Sequence, residues 1–456
     1  MKLKKITING LFKTFKHTIT FNEKEGITIV IGENGLGKTV ILEMIEAFFN
    51  NKFDYLSLIE FETIEMEFTD NIEWEISLDK TEEISESKRL RRRIYYPLTL
   101  IESSPKRKSI RTAKLQNDDT DKYQRNVRFS RSNMPFLEKI GYDRWLDQRY
   151  GEILDTETVR NLYGDNYPSL FIEETNDIPE WVVKRIQSNK VYLIKTQRLL
   201  LLEDRDKNNL TKTVDKYSNE LSRTIQSHLA RSTAFSSELD RTYPNRLLDR
   251  LSKRKNKNQI ISEDLIASLN RLTEKRFLLN KVGLIAFEEN DNIFNIENFS
   301  SEDVRNVLQL YVEDSFKKLE VYDELAKKLE IFVNIVNKRF KHKKLTIDKE
   351  RGFVFESTIQ KASNPKDDIT IQAGKLSSGE QNELVLFYEL LFKTEQNTLV
   401  LIDEPEISLH ISWQNSFIDD LKEIIKLNKF DILIATHSPN IIGNNWDLRV
   451  ELKGLE

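Results

Sequence analysis

Apolar and polar residues alternate through KKITING and HTITF at the start of the chain, and a short apolar run follows in GITIVI; both patterns predict strands. Residues 40–49, VILEMIEAFF, are apolar nearly all round and predict a buried helix. Alternation returns in IEFETIEMEF and IEWEISL, joined by Asp70-Asn71, a hairpin signal. From about residue 81 the pattern loosens into polar, basic sequence, and an apolar strand reappears at 191–194. Leu210, Val214, Tyr217, Leu221, Ile225 and Leu229 are spaced by three or four, which predicts an amphipathic helix or short coiled coil over 205–230. Leu265, Leu269 and Leu272 repeat the spacing, and 302–340 reads as one long helix through Val304, Leu308, Val312, Phe316, Leu319, Leu329, Phe332, Val336 and Phe340. Strands resume in KLTID, GFVFES and DITIQ, and the remainder is α/β in character.

The expected organisation is therefore one domain built from both chain ends around a helical insertion. Its parts are an N-terminal lobe (1–80), a basic insertion (81–189), a strand with a following loop (190–204), a helical or short coiled-coil arm (205–342) and a C-terminal lobe (343–456).

Four segments carry chemistry. Residues 32–39, GENGLGKT, follow a strand and open a helix. Gly32, Gly35 and Gly37 let backbone turn tightly and approach phosphate oxygens, with Asn34 in the same loop. Lys38 reaches the β- and γ-phosphates, and the Thr39 hydroxyl suits Mg²⁺. Residues 398–404, TLVLIDE, make a buried strand ending in two carboxylates: Asp403 beside a metal, Glu404 as general base toward water. In LSSGEQ, Ser377, Ser378 and Gly379 open a helix, as a second anion nest or as an ordinary serine cap with Glu380. His437, in ILIATHS, lies at another strand's end, either structural or a γ-phosphate contact.

In this order the motifs resemble the ABC-type P-loop ATPase heads of the SMC, RecF and OLD group. The resemblance covers roughly 1–80, 190–200 and 343–456, and implies an α/β head with a mixed sheet. It implies ATP and Mg²⁺ as ligands, Glu404 as base, His437 as γ-phosphate switch, and Ser377 and Gly379 set against the ATP of a second copy. Ser408-Leu409-His410 falls where the family has its D-loop. Gln197 is nominated for the metal-side glutamine loop, with a plain surface glutamine as the alternative. The arms are far shorter than SMC coiled coils, no cysteine is present for a zinc hook, and only about 19 residues follow His437, too few for an OLD-type nuclease.

Composition adds a location and a choice of roles. No apolar run spans a bilayer and no signal-like segment opens the chain, so a cytoplasmic protein without a membrane partner is expected. Histidines at 17, 228, 342, 410 and 437 are too scattered for a nuclease metal cluster. The net charge of −4 hides a surplus of +10 over 88–131, including Arg91, Arg92 and Arg93, and of +7 over 241–281. These stretches are either solvated faces or phosphate-backbone contacts. Compact heads of this kind resemble the ATPase components of anti-phage systems such as Septu (PtuA) and PARIS (AriA). That implies a head-to-head dimer or a larger homo-oligomer, a separate nuclease or toxin effector, and a DNA or phage-derived trigger. A RecF-like repair ATPase and an ATP-locked scaffold with little turnover stand as alternatives.

Overall fold

A computed structural model describes residues 2–79, 84–88, 91–95, 98–104, 109–115, 137–141, 144–147, 152–155, 178–196, 198–202, 210–252, 262–286, 302–359, 370–407 and 409–454. Gln197, Ser408 and the side chains of Arg91, Arg92 and Arg93 lie outside the described residues. The chain divides into two compact units: Met1–Glu23, Val30–Val191 and Val450–Glu456 in one, Lys24–Ile29 and Tyr192–Arg449 in the other. No described helix is long and apolar enough to cross a membrane.

The first unit is built on a six-stranded sheet, ordered Phe15–Thr20, Leu3–Leu11, Thr63–Phe68, Glu73–Leu78, Leu98–Ser104, Ser109–Leu115, with antiparallel neighbours throughout. Alternation places Ile6, Ile8, Ile64, Met66, Trp74, Ile76, Leu98 and Leu100 in its core. The helix Lys38–Phe49 supplies Phe48, whose ring meets Trp74 edge-on at 5.9 Å. Arg185, on the helix Glu180–Ser188, lies over Phe68 and grips Asp70 at 2.8 and 3.1 Å. That grip holds the Asp70 carboxyl below its usual range. The boundary expected at residue 80 cuts this sheet. Leu98, Leu100, Ala113 and Leu115 bury alternate positions inside sequence that is otherwise polar, and Glu102 is buried because Trp74 Nε1 donates to it at 2.9 Å.

The second unit holds parallel strands Leu399–Asp403 and Asp431–Thr436, in register from Leu399↔Asp431 to Asp403↔Ala435 and linked through the helix Phe417–Asn428. The sheet continues to Val191–Ile194 on one side and to Ile27–Ile31 on the other. Val400, Leu401, Ile402, Leu433, Ile434 and Ala435 are buried, as strands covered on both faces require. A three-stranded antiparallel sheet, Lys343–Asp348, Gly352–Ser357 and Thr370–Gln372, completes a mixed α/β architecture. The long helix Thr213–Ser252 docks on it: Ser218 accepts from the Phe353 N–H at 2.8 Å and donates to the Arg351 carbonyl at 2.8 Å.

Two expectations for the arm change. Leu210 belongs to a short strand, Leu210–Lys212, paired with Leu200–Leu202, and the helix starts after it at Thr213. The helix expected over 302–340 is two helices, Glu302–Glu320 and Asp323–Arg339. Their apolar stripes have different partners, which forces the break: Val312 packs on Leu265, Leu269 and Leu272, whereas Phe332 meets Phe353, Tyr388 and Phe392. The basic surplus of 241–281 is partly matched inside the arm, where Arg246 grips Asp314, Arg250 grips Glu313 and Lys275 meets Asp323.

Candidate functional site

Strand Ile27–Ile31 runs into the glycine loop, and the helix Lys38–Phe49 of the first unit opens immediately after it. Gly37 is the N-cap, with φ 83°, and no side chain caps the helix entry by a hydrogen bond. Gly35 has φ 88°, and a Cβ there would meet nothing within 4 Å; the loop is open on that side. At Gly37 a Cβ would come within 2.9 Å of Leu11 Cδ2, so the loop is pressed against the first hairpin. Lys38 is buried, and its ammonium donates to the Gly32 and Glu33 carbonyls, both at 2.9 Å. Asn34 and Thr39 are exposed. The structure thus gathers Gly32, Asn34, Gly35, Gly37, Lys38 and Thr39 into one helix-opening loop, whose open face suits an anionic group such as a polyphosphate.

In the second unit, Asp403 ends its strand with 8% exposure, and the Thr196 hydroxyl lies 3.3 Å from its carbonyl and 3.4 Å from its carboxylate. Glu404 follows with φ 42°, a left-handed conformation that costs a residue with a Cβ about 1 kcal/mol or more. The Glu404 N–H donates to the Ala435 carbonyl at 2.8 Å, which locks that turn onto the neighbouring strand. The Glu404 carboxylate lies 3.5 Å from His437 Nε2. Asp403, Glu404 and His437 therefore share one edge, past the C-terminal ends of two adjacent parallel strands, where open α/β sheets bind ligands.

Elsewhere in this unit Ser377 caps the helix Ser378–Tyr388 in a complete capping box with Glu380. Its Oγ donates to Glu380 at 2.8 Å, and Lys343 holds the same carboxylate at 2.8 Å, which lowers the Glu380 pKa against the upward push of burial. Ser377 and Ser378 are exposed and Gly379 is half-buried. The serine-cap reading of this segment is thus realised in the structure, and it leaves the two serines on the surface.

The family model described as AAA ATPase domain matches residues 1–442. The chain belongs to that family. No curated protein matches the chain. Among solved structures, this AAA ATPase domain is similar to an SMC head bound to the C-winged helix domain of ScpA, at 10% identity over 97% of this chain and 91% of that one, with a TM-score of 0.34. It is also similar to an Smc head domain with an extended coiled coil, derived from Pyrococcus furiosus and bound to the C-terminal domain of ScpA (14% identity, the same coverages, TM-score 0.29). The SMC head domain from Thermotoga maritima scores 0.28 at 10% identity, again over 97% of this chain and 91% of that one.

Sequence reasoning missed three side chains of this AAA ATPase domain that support the candidate residues of one unit or the other. Glu406 accepts from the His437 backbone N–H at 2.7 Å. Gln414 accepts from Ser438 Oγ at 2.7 Å and donates to the Leu409 carbonyl at 3.1 Å. His17, in the first unit, bonds the Leu36 carbonyl within the glycine loop at 2.9 Å. The second glutamate of DEPE was the available signal for Glu406; nothing in the spacing of Gln414 or His17 announces them.

Proposed function

We propose that this chain binds and hydrolyses ATP. The observation that supports the reading most directly is the pairing of Glu404 with His437 at the ends of two parallel strands. The loop backbone and Lys38 take the phosphates, since N–H groups at a helix start and an ammonium both favour anions. Thr39 and Asp403 supply oxygen donors of the kind Mg²⁺ prefers, and the open face at Gly35 leaves room for phosphate oxygens. When bound, Mg²⁺ offsets the charge that develops on the phosphates. Glu404 accepts the proton of the attacking water, its carboxylate held by the turn bonded to Ala435. His437 stands beside it to contact the γ-phosphate. Ser377, Ser378 and Gly379, exposed or half-buried at a helix N-terminus, close on the ATP of a second copy, so hydrolysis belongs to a dimer. In this reading two lobes from the chain ends carry the chemistry, the first extended past residue 80 by the strands Leu98–Ser104 and Ser109–Leu115, and the arm carries signal or partner.

Lys38→Ala and Glu404→Gln test the reading together. Lys38→Ala is expected to lose most ATP binding. Glu404→Gln is expected to keep binding and lose turnover by about 10²–10⁴-fold, the contribution of a general base. Near-normal hydrolysis by purified Glu404→Gln sinks the assignment. In its biological setting the chain would be a regulator in an anti-phage system, with a separate nuclease or toxin as effector and a DNA or phage-derived trigger. Co-purification with the products of adjacent genes tests that role. Recovery of repair proteins alone would favour the RecF-like alternative, and a wild-type chain that binds ATP without turnover would be a scaffold.

A further inference from the structure

His17 lies on the strand Phe15–Thr20, paired with Ile8 in the first hairpin, and is only 2% exposed. Its ring stacks on Phe15 with centroids 5.5 Å apart and planes at 16°. Nε2 lies 2.9 Å from the Leu36 carbonyl, between the two glycines Gly35 and Gly37, and Nδ1 is buried with no hydrogen-bond partner. A carbonyl needs a donor, so Nε2 carries the proton and Nδ1 is bare. Burial favours this neutral ring by pulling the His17 pKa down, against the bond to Leu36, which pulls it up. The ring therefore spends its one N–H on the glycine loop and leaves a nitrogen unsatisfied to do so, an arrangement that a packing role alone does not require.

The peptide after Leu36 is trans, as are all peptides among the described residues, so its C=O and the N–H of Gly37 point to opposite sides of one plane. Fixing the carbonyl toward His17 therefore fixes the Gly37 N–H away from it. Gly37 is the helix N-cap, where N–H groups serve an anion, and its left-handed φ of 83° leaves the peptide free to flip unless something holds it. Leu11, beside Gly37, holds the loop's position but offers no donor.

We propose that His17 is a positioning residue of the phosphate loop, orienting the Leu36–Gly37 peptide so that the Gly37 N–H faces the bound phosphate. This rests on the reading of the loop as an ATP site. It places the first hairpin in the service of nucleotide binding, where none of the four motifs reaches.

Two substitutions in the full chain separate orientation from packing. His17→Phe keeps an aromatic ring against Phe15 and removes the donor. His17→Gln puts an amide N–H the same number of bonds from Cα as Nε2. Titration with Mg·ATP, alongside nucleotide-free melting, is expected to show His17→Phe binding about tenfold more weakly, as the loss of one oriented hydrogen bond implies. His17→Gln is expected to recover most of that affinity, while both variants melt close to the wild type without nucleotide. If the wild type binds ATP and His17→Phe matches it, the proposal falls and the ATP site stands. If affinity falls in step with nucleotide-free stability in both variants, His17 is a packing residue and the proposal also falls. A wild-type chain that binds no ATP removes the ATP reading itself.

Discussion

The glycine loop holds its shape with backbone. Gly35 and Gly37 take left-handed φ, Lys38 folds back onto the Gly32 and Glu33 carbonyls, and one side chain from outside the motif, His17, reaches the Leu36 carbonyl. The strand-end carboxylates hold theirs with side chains. Glu404 sits in a strained turn, Glu406 grips the His437 N–H, and Gln414 ties Ser438 to the Leu409 carbonyl. A loop that must present many N–H groups to an anion needs conformational freedom and few partners. An edge that must place one carboxylate against one imidazole needs fixed rotamers, hence a surrounding shell. Defects in the loop should therefore appear as lost affinity, and defects at the strand ends as lost turnover with affinity kept.

The hardest test of this contrast is Arg339. Its guanidinium bonds Glu383, on the serine-capped helix, and Asp420, on the helix linking the two parallel strands, and it lies over the Phe387 ring at 4.8 Å. All three charges are buried, and desolvation pushes the Glu383 pKa up to about 7 in spite of the arginine. Arg339→Leu leaves two carboxylates without a counter-charge and should cost about 3–5 kcal/mol of stability, read as a lower melting temperature or denaturant midpoint. A variant as stable as the wild type would show that the strand-end unit does not depend on this triad.

Glu406→Ala probes the same edge more gently. It removes the Glu406 acceptor from the His437 N–H and loosens the turn that sets the histidine beside Glu404. Turnover at saturating ATP is expected to fall about tenfold, the scale of one hydrogen bond to a charged group, with the ATP dissociation constant unchanged. Glu406→Gln keeps an acceptor oxygen and should restore most of the loss. An effect on affinity instead of turnover would erase the distinction between the two regions.

What could be read from sequence follows the same division. Backbone chemistry leaves a mark: Gly32, Gly35, Gly37, Lys38 and Thr39 form a pattern because each place demands its residue type. The apolar runs before Asp403 and His437 were equally legible, since a strand covered on both faces has to be apolar. The shell was not legible. Arg339 meets partners 44 and 81 residues away, and His17 meets Leu36 across a hairpin, so neither contact has a local period. The strands Leu98–Ser104 and Ser109–Leu115 were hidden because Glu102 occupies an inward position, satisfied by Trp74 Nε1. The break at Tyr322 was hidden because both helices keep a helical apolar spacing and differ only in what they pack against.

The smallest expected effect concerns the two left-handed glycines. At Gly37 a methyl group would press on Leu11 Cδ2 at 2.9 Å and Phe12 Cε2 at 3.2 Å, so Gly37→Ala should destabilise the protein even without nucleotide. At Gly35 the same methyl meets nothing within 4 Å, and only the backbone preference opposes it. That preference is worth about 1 kcal/mol, so Gly35→Ala should melt only slightly below the wild type. Its methyl group points into the loop's open side, however, where phosphate oxygens would sit. ATP affinity should then fall about fivefold, again about 1 kcal/mol, while turnover at saturation is kept. The pair reads the loop from both sides: Gly37 reports its support and Gly35 its open face. If Gly35→Ala binds ATP as the wild type does, the phosphates do not approach the loop at Gly35, and the backbone account of the loop fails at the position where it should be cleanest.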